Sequence, residues 1–579
     1  MSTTRDHVRA PRLGLLVDLF EYTYQSTLIQ AVMDTARRHG AGVRVFVGGG
    51  LRSPERFGAE RNFLYDLVGG ANVDGLIVLS STLANYADHS ALVDFAARFR
   101  PLPMASIGML LEGIPSVAVD NAPALREGIR HLVRVHGHRR IGFVRGPAGN
   151  QDAEERYRVY REVLAEHEIP LDAALIAPGD FTLPAGTAAV RALIDERRAS
   201  FQALVAANDY MALGAIEALR ARGVRVPADA AVMGFDDLDE ARFAHTPLTS
   251  VRQPLREQGE LAAEMVLAQL RGDGVPARTL LPAQLVVRRS CGCRSAVMKE
   301  HDHSIAAPAT DWTLALEHAA AWVFLSLKRV GRPADAERCA AVLAAALEAE
   351  IVGQRGVFGA RFEEILAGAT SRTELETWHD VIKGMRDLLR PALAGDAARA
   401  LVAEDAWHEA HVLVAQATER ALARRSLAVT RWARTLSEAS DALAAARDVP
   451  ALMAALVEQL PRLQIPAAQV VLFEARRPES GARLALSVRD GVVAPRNDTL
   501  YPAARLVPEG TLPVDQRHDL IVLPLFSREA SLGIALLELG PREPTIYEML
   551  RDRLSSTLDS LTSPQPGSPS PSPAGRGLG

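Results

Sequence analysis

The feature that most constrains this chain is a pair of short apolar runs separated by one helix-length segment. The runs, Ala203–Ala206 and residues 231–235, have the length of buried parallel strands. Between them, residues 212–222 space their apolar side chains as a helix does, and Gly223 follows as a helix-terminating residue. Two strands joined through a helix run parallel. The stretch therefore predicts a β-α-β unit in an α/β fold.

Each apolar run is followed by a polar pair, Asn208-Asp209 and Asp236-Asp237. In open parallel sheets, ligands bind at the carboxyl ends of strands, so these pairs mark a candidate small-molecule site. The Asp236 carboxylate can accept hydrogen bonds from two hydroxyls, and the Asn208 amide can both donate and accept. Turn and helix-cap chemistry is the alternative for both residues, and it is our interpretation of Asp209 and Asp237.

Three motifs in this stretch occur in an order that resembles a known family: ANDYMALGAIEAL, P-x-D-x-x-V-M-G-F-D-D and PLTSVRQP. They resemble the effector-binding core of the LacI/GalR repressors, which is similar to periplasmic sugar-binding proteins. The resemblance covers residues 12–293. It implies a type I periplasmic-binding-protein-like core, with two doubly wound lobes and a cleft that takes a sugar or a similar polar metabolite.

The resemblance also assigns residues of the second lobe to the cleft. In the family, the positions of Asp236 and Asn208 contact the effector. Arg156 matches an arginine near the start of a helix, and its planar guanidinium can grip vicinal hydroxyls or a carboxylate; a solvated helix face is the alternative. Phe181 matches a position that often stacks on a sugar ring, although a core phenylalanine is the alternative. Gln253 is a candidate for the part of the cleft wall where the chain crosses between the lobes.

In the first lobe, the candidates follow the first strand, residues 13–17, where the family presents polar and aromatic residues to the ligand. They are Asp18, Tyr22 and Tyr24. The two tyrosine rings can stack on the apolar face of a sugar, and a packed loop is the alternative. Asp120 also ends a predicted strand, and we interpret it as structural.

Other residues with reactive side chains do not form a motif that indicates chemistry. His131, His136 and His138 have no cysteine or carboxylate near them at ligand spacing in the sequence, so we predict that they are structural. Cys291 and Cys293 form a C-x-C pair without a second half-site, and we predict neither a metal nor a redox role. The P-loop, G-x-S-x-G and H-E-x-x-H motifs are missing. We expect a protein that is not an enzyme and needs no cofactor.

The composition and the N-terminal sequence predict a cytoplasmic protein. Its 579 residues carry a formal net charge of −5, which does not indicate a nucleic-acid partner. Three cysteines suit a reducing compartment. The N-terminus has no apolar signal region, and no apolar run approaches the ~18 residues of a membrane span. We therefore expect a cytoplasmic protein with no membrane partner, and a binding-protein fold that senses rather than imports.

The length predicts several domains. The periodicity becomes helical after residue 311, returns to strands after residue 448, and ends in a Pro/Ser/Gly-rich tail. The predicted segments are a disordered N-terminus (1–11), the ligand-binding core (12–293), a linker (294–311), a helical region (312–400), a long coiled-coil-like helix (401–447), a GAF-like domain (448–562) and a disordered tail (563–579).

The long helix carries a seven-residue repeat of apolar side chains. It is formed by Leu422, Val429, Leu436 and Leu443, with Arg425, Trp432 and Ala439 three residues after the first three of them. This seam favours a coiled-coil homodimer. One helix of a bundle is the alternative interpretation.

Two functional hypotheses follow. LacI/GalR repressors begin with a helix-turn-helix headpiece, whereas the core begins here near residue 12, so we expect no headpiece. The first hypothesis is a cytoplasmic small-molecule sensor whose lobes close on the ligand and signal through the long helix to the GAF-like domain and a downstream signalling protein. The alternative is a LacI-family transcription regulator that binds DNA through an unrecognised region.

Overall fold

The structure is a computed structural model that describes residues 10–20, 22–54, 58–293, 310–329, 333–368, 372–495, 497–513, 516–528, 530–541 and 543–563. The chain divides into two compact units. The first is formed by Met1–Arg294 together with Thr435–Gly579, and the second by Ser295–Arg434. Most of the N-terminal segment 1–11, of the linker 294–311 and of the tail 563–579 lies outside the described residues.

The first lobe of the first unit alternates strands and helices. Its strands are almost wholly buried and apolar, as strands covered by helices on both faces must be. In chain order its elements are β1 (Arg12–Val17), α1 (Thr23–Arg38), β2 (Gly42–Val47), α2 (Phe63–Asp66), β3 (Gly75–Leu79), α3 (Ser80–Leu83), α4 (His89–Ala97), β4 (Met104–Ile107) and β5 (Ser116–Asp120).

The second lobe repeats this pattern around a four-stranded parallel sheet. Its elements are α5 (Asn121–Arg134), β6 (Ile141–Val144), α6 (Gln151–Glu166), β7 (Ile176–Ala177), α7 (Leu183–Val190), β8 (Ala203–Ala206), α8 (Asp209–Ala221), β9 (Ala231–Met233) and α9 (Asp239–Arg242). The strand order is β7-β6-β8-β9. The predicted β-α-β unit is therefore confirmed, with β8 and β9 side by side and parallel.

The chain crosses between the lobes three times. After β5 it enters the second lobe, and after β10 (Ser250–Arg252) it returns as α10 (Leu255–Arg271), which packs against α1. Strand β11 (Arg278–Pro282) then pairs parallel to β5, and β12 (Gln284–Val286) pairs antiparallel to β10. These crossovers produce the two-lobed α/β core that the sequence predicts.

The second unit is helical. Its helices are α11 (Trp312–Arg329), α12 (Pro333–Ile351), α13 (Val357–Ala367), α14 (Arg372–Leu393) and α15 (Ala397–Ala444), of which the last continues past Arg434 into residues of the first unit. Edge-to-face ring pairs, such as Phe362 with Trp378, fill its core. α15 begins earlier than predicted because the Asp396 carboxylate caps it, accepting hydrogen bonds from the backbone N–H groups of Ala398 and Arg399.

The C-terminal segment of the first unit is an antiparallel sheet between two helices. Its elements are α16 (Val449–Arg462), β13 (Ala467–Phe473), β14 (Ala482–Arg489), β15 (Val492–Val493), β16 (Asn497–Tyr501), β17 (Leu520–Phe526), β18 (Ser531–Glu538) and α17 (Pro544–Thr562). The return to strands that the sequence predicts after residue 448 is present, since β13 follows α16. The GAF-like assignment of this segment stays a prediction.

This segment joins the sheet of the first lobe. Strand β17 pairs parallel to β2, with Leu520 opposite Arg44 and Val522 opposite Phe46. The resulting twelve-stranded sheet runs β11-β5-β4-β3-β1-β2-β17-β18-β13-β14-β15, with β16 on β14. The two parts also share one hydrophobic core. The sequence pattern treats the last segment as a separate domain, whereas the structure continues the first lobe's sheet through it.

None of the described helices is both long enough and apolar enough to cross a membrane.

Candidate functional site

The two lobes enclose a cleft at the carboxyl ends of their strands. Its cavity has a volume of about 140 Å³, roughly ten times what one buried water needs, so it has room for a small molecule. All eight sequence-predicted site residues line it: Asp18, Tyr22, Tyr24, Arg156, Phe181, Asn208, Asp236 and Gln253.

Asp236 is held in the cleft wall by the crossover strand. Its backbone N–H donates to the Val251 carbonyl, and its φ of +119° is one that non-glycine residues rarely adopt. The Gln253 amide donates to its Oδ1 at 2.7 Å. Burial raises the pKa of Asp236 to about 7, against the opposing effects of the Arg156 guanidinium and of this hydrogen bond. A side chain fixed this way in a strained backbone is typical of a binding site.

Arg156 lies in α6 and is almost wholly buried, so it is not on a solvated helix face. Its guanidinium carbon stacks 3.8 Å from the centroid of the Phe235 ring, and its Nη1 donates to the Ala207 carbonyl at 2.7 Å. Asp152 lies one turn earlier, 3.9 Å from Nη2. The Nε–H group is buried without a hydrogen-bond partner among the described residues. The side chain is thus locked in place with one donor still to be satisfied.

Asn208 and Phe181 join two neighbouring loops of the second lobe. Asn208 caps α8, since its Oδ1 accepts from the Met211 N–H at 3.0 Å, and its Nδ2 donates to the Phe181 carbonyl at 2.9 Å. Phe181 has a φ of +71° and packs partly against the core of the second lobe. Both residues line the cleft, but the Asn208 amide already makes the cap interactions that are the alternative to ligand contact.

The neighbours of the two polar residues have structural roles, but neither side chain caps the helix that follows it, which differs from the helix-cap interpretation of the sequence. The buried Asp209 carboxylate accepts from the Ser250 hydroxyl at 2.6 Å and from the Leu238 N–H at 2.9 Å. Asp237 forms ion pairs with Arg252 and Arg288. These contacts hold the ends of β8 and β9 against the crossover strands.

The first lobe supplies the opposite wall. Asp18 follows β1 and accepts from the Thr82 hydroxyl at 2.6 Å and from the Gln25 amide at 3.3 Å. Burial raises the pKa of Asp18 in spite of these bonds. The Gln25 Oε1 atom is buried without a partner among the described residues. Tyr24 lies beside Ser81, with 3.4 Å between the two hydroxyl oxygens.

Side chains of both lobes meet at the edge of the cleft. The Tyr22 and Tyr210 ring centroids are 5.1 Å apart. The Thr23 hydroxyl donates to the Glu240 carboxylate at 2.5 Å, and the Thr23 N–H donates to the Tyr210 hydroxyl at 3.3 Å. We call these four residues the latch. Because Tyr22 and Thr23 belong to the first lobe and the other two to the second, the latch holds the lobes together.

Sequence reasoning missed several cleft residues. Asp152 could have been found, because it lies four residues before Arg156 on the same helix face. Tyr210 could also have been found, because it follows Asn208-Asp209 inside the ANDYMALGAIEAL motif. Gln25, Thr82 and Arg61 carry no motif, and only the fold brings them to the cleft.

The histidines and cysteines, which show no metal-ligand spacing along the sequence, come together in the structure. The Sγ atom of Cys293 lies 3.4 Å from the Nε2 atoms of both His131 and His136. The cluster cannot be recognised from the sequence, because the histidines and the cysteines are about 160 residues apart along the chain.

A two-lobed α/β core with a polar cleft between the lobes is the architecture of a periplasmic-binding-protein-like domain. Residues 129–291 match the family described as periplasmic binding protein-like domain. The HTH-type transcriptional regulator CelR of Thermobifida fusca is 36% identical over 240 residues, which are 41% of this chain and 68% of CelR. The HTH-type transcriptional repressor CytR of Escherichia coli (strain K12) is 31% identical over 46% of this chain and 74% of its own length. The chain belongs to the LacI/GalR family.

A solved structure described as a transcriptional regulator CelR-cellobiose complex is 31% identical to this chain. It covers 49% of this chain and 85% of its own, with a TM-score of 0.43. The two sequence relatives cover less than half of this chain, so they do not account for the helical unit and the C-terminal segment together.

Proposed function

We propose that this chain is a ligand-responsive transcription regulator whose cleft binds a small, sugar-like polar metabolite. The observation that supports this most directly is a pair of buried polar atoms without partners, Arg156 Nε on one wall and Gln25 Oε1 on the other. A buried polar group without a partner costs about 1–3 kcal/mol. A bound molecule that accepts a hydrogen bond from Arg156 Nε and donates one to Gln25 Oε1 removes this cost on both walls at once.

The chemistry of the walls favours a polyhydroxylated ligand. Asp236 presents an acceptor and Arg156 a planar donor, which together suit vicinal hydroxyl groups. The rings of Tyr22, Tyr24 and Phe181 supply apolar faces on which a sugar ring can stack. A relative named ribose operon repressor, 29% identical over 80% of its length, is consistent with this class of ligand.

Lobe closure is the proposed response to the ligand. The latch joins the lobes through Thr23 and Glu240, and a ligand that contacts both walls favours the same closed arrangement. The shift in population is limited by the ligand's preference for the closed state over the open one. The latch therefore sets how much ligand binding is needed to keep the cleft closed.

Regulation of transcription is the output that the relatives favour, because CelR and CytR are both named as transcription regulators. We propose a homodimer that contacts DNA. Signalling to a downstream protein is the second candidate. One observation favours it: the cleft residue Arg61 lies 3.5 Å from Glu548 of α17, which connects the cleft to the C-terminal segment.

The ligand is tested by thermal unfolding against a panel of monosaccharides, disaccharides, nucleosides and sugar acids. We expect at least one compound to raise the melting temperature of the wild type and to leave Asp236→Ala unchanged. Asp239→Asn is the matched control, since Asp239 is an exposed carboxylate on α9 of the same lobe. The ligand proposal fails if no compound stabilises the wild type, or if Asp236→Ala responds as the wild type does.

DNA contact is tested separately, by selecting binding sequences from random duplex DNA and titrating the selected duplex at several salt concentrations. Phosphate contacts would make the logarithm of the binding constant fall linearly with the logarithm of the salt concentration. A ligand-sensitive complex with this slope supports the transcription role. Absence of binding at low salt contradicts it and leaves the signalling candidate.

A further inference from the structure

Two histidines and two cysteines converge at the end of the core, away from the cleft. The side-chain ligand atoms of His131, His136, Cys291 and Cys293 all lie within 4.8 Å of one another. The histidine Nε2 atoms are 3.2 Å apart, and the distances from His131 Nε2 to the two sulfur atoms are 3.6 Å and 3.4 Å. The cluster is partly buried, with Cys291 fully buried.

The four individual distances of 3.2–3.6 Å are close to those between the corners of a zinc tetrahedron. With zinc–nitrogen bonds of about 2.0–2.1 Å and zinc–sulfur bonds of about 2.3 Å, neighbouring ligand atoms lie about 3.3–3.8 Å apart. The four groups are two imidazoles and two thiols, a Cys₂His₂ set that forms structural zinc sites. A tetrahedral set of two sulfur and two nitrogen ligands indicates zinc rather than magnesium or calcium, which prefer oxygen.

The backbone around the cluster is shaped to allow this convergence. His131 lies in the last turn of α5, and His136 lies in the turn that follows. Gly292, between the two cysteines, has a φ of +104°, and a Cβ atom there would lie 3.2 Å from the His136 ring. A glycine therefore lets the C-x-C turn approach the imidazole while both thiols face the same point.

The cysteine turn is also anchored to the second lobe by Ser290. The Ser290 hydroxyl donates to the Val232 carbonyl at 2.6 Å and accepts from the Thr249 N–H at 2.7 Å. Cys291 Sγ lies 3.3 Å from the Arg288 carbonyl. The cysteines are thus positioned by β9 and by the crossover, independently of the histidines on α5.

We propose that these four side chains bind one structural Zn²⁺ ion. The two thiols lose their protons to solvent on binding, and the ion takes two thiolates and two neutral imidazoles through Nε2. Four protein ligands close the coordination sphere, which is the arrangement of a structural rather than a catalytic ion. The ion fixes residues 289–293, the last described residues of the core, to the C-terminal end of α5.

The metal content of the full-length protein tests this proposal. The chain is expressed without a polyhistidine tag, purified, and dialysed against metal-free buffer before elemental analysis. We expect about one zinc per chain in the wild type, and less than a tenth of that in Cys291→Ser and Cys293→Ser. Cys339→Ser and His138→Gln are the matched controls and keep the zinc: Cys339 is a buried thiol of the helical unit, and His138 stacks on His136 outside the set.

A second measurement does not depend on the variants folding. Zinc is removed from the wild type with a chelator under reducing conditions, and Co²⁺ is added in its place. We expect the visible d–d bands of tetrahedral cobalt and a thiolate-to-cobalt charge-transfer band, both abolished by stoichiometric zinc. Octahedral cobalt spectra, equal zinc in the wild type and Cys293→Ser, or no bound metal in wild-type protein purified under reducing conditions would each overturn the proposal.

Discussion

At the scale of single residues, the buried carboxyl group of Asp236 makes stability depend on pH. Its pKa is raised from 3.8 to about 7 because burial disfavours the ionised form. Between about pH 4 and pH 7 the unfolded chain is ionised at this position while the folded chain is protonated, so the folded state binds the extra proton. The contribution of Asp236 to the free energy of unfolding is therefore present below about pH 4 and is lost as the pH rises to 7.

The variant Asp236→Asn should remove this dependence. A pKa unit corresponds to about 1.4 kcal/mol, so the difference between variant and wild type changes by at most about 4 kcal/mol across the window, in favour of the variant at the higher pH. Urea unfolding at several pH values measures it. Asp120→Asn, at an exposed carboxylate outside the cleft, should run parallel to the wild type. A constant difference between Asp236→Asn and wild type would contradict the assignment.

Site residues were predictable where they follow an apolar strand or belong to a recognisable motif. Asp236 and Arg156 are of this kind, and their residue types also indicate which hydrogen bonds they can accept or donate. Gln25 and Arg61 are not, because neither residue type nor spacing marks a polar residue in an ordinary helix or turn. The metal cluster was unpredictable for a different reason: its halves, His131 and Cys293, meet only because the last crossover returns to the second lobe.

At the scale of elements, the latch is the contact that should control closure. Thr23→Val removes the hydroxyl that donates to Glu240 while it keeps the shape of the side chain. A hydrogen bond of this kind contributes about 1 kcal/mol net, so we expect the dissociation constant of the cleft ligand to rise about fivefold. Isothermal titration calorimetry measures the constant, and small-angle scattering should show a more open unliganded protein.

The matched control for the latch lies one helical turn away. Thr27→Val makes the same change in α1, but the Thr27 hydroxyl donates to the Thr23 carbonyl within the first lobe. Its effect on ligand affinity should be negligible. Equal effects of the two variants would mean that the helix, rather than the contact between the lobes, is responsible.

The exposed face of α15 makes a second prediction about an element. Leu422 and Val429, both on the predicted seam, are 43% and 58% exposed. Two exposed seam positions one heptad apart favour pairing with a second copy of the helix. We expect Leu422→Glu/Val429→Glu to shift the protein from dimer to monomer in light scattering.

Leu427→Glu provides the control for this substitution. Leu427 is also 58% exposed and lies on the same helix, but it does not belong to the heptad. It should leave the dimer intact. A monomeric wild type, or dissociation by Leu427→Glu to the same extent, would favour the bundle interpretation of this helix.

At the scale of the whole molecule, the continuous sheet makes the first lobe depend on the C-terminal segment. Val522 of β17 is fully buried in the core that the two parts share. Val522→Ala should cost about 2 kcal/mol and increase hydrogen exchange in β1 and β2 as well as in β17. Val493→Ala is the control, because Val493 of β15 is about half exposed. Faster exchange confined to the C-terminal strands would show that they fold independently.

The architecture was predictable within each part and not between the parts. Apolar runs and helix ends such as Gly223 defined the strands and helices of the core, because local periodicity records which face of an element is buried. The pairing of β2 with β17 produces no such periodicity in the sequence. Both strands are apolar throughout, as central strands are. An apolar run indicates that a strand is buried, but it does not indicate which strand pairs with it.

One consequence concerns the covalent continuity of the chain. Residues 295–434 stand between two stretches that fold as one body, so the helical unit is an insertion in the chain order of the first unit. A single cut at Gly395, in the turn between α14 and α15, would break the chain without breaking the sheet that β2 and β17 form. We expect the two fragments to coelute and to bind ligand together, as a split protein does. The N-terminal and C-terminal pieces of the first unit are then non-covalent partners, and the inserted helices act as their tether.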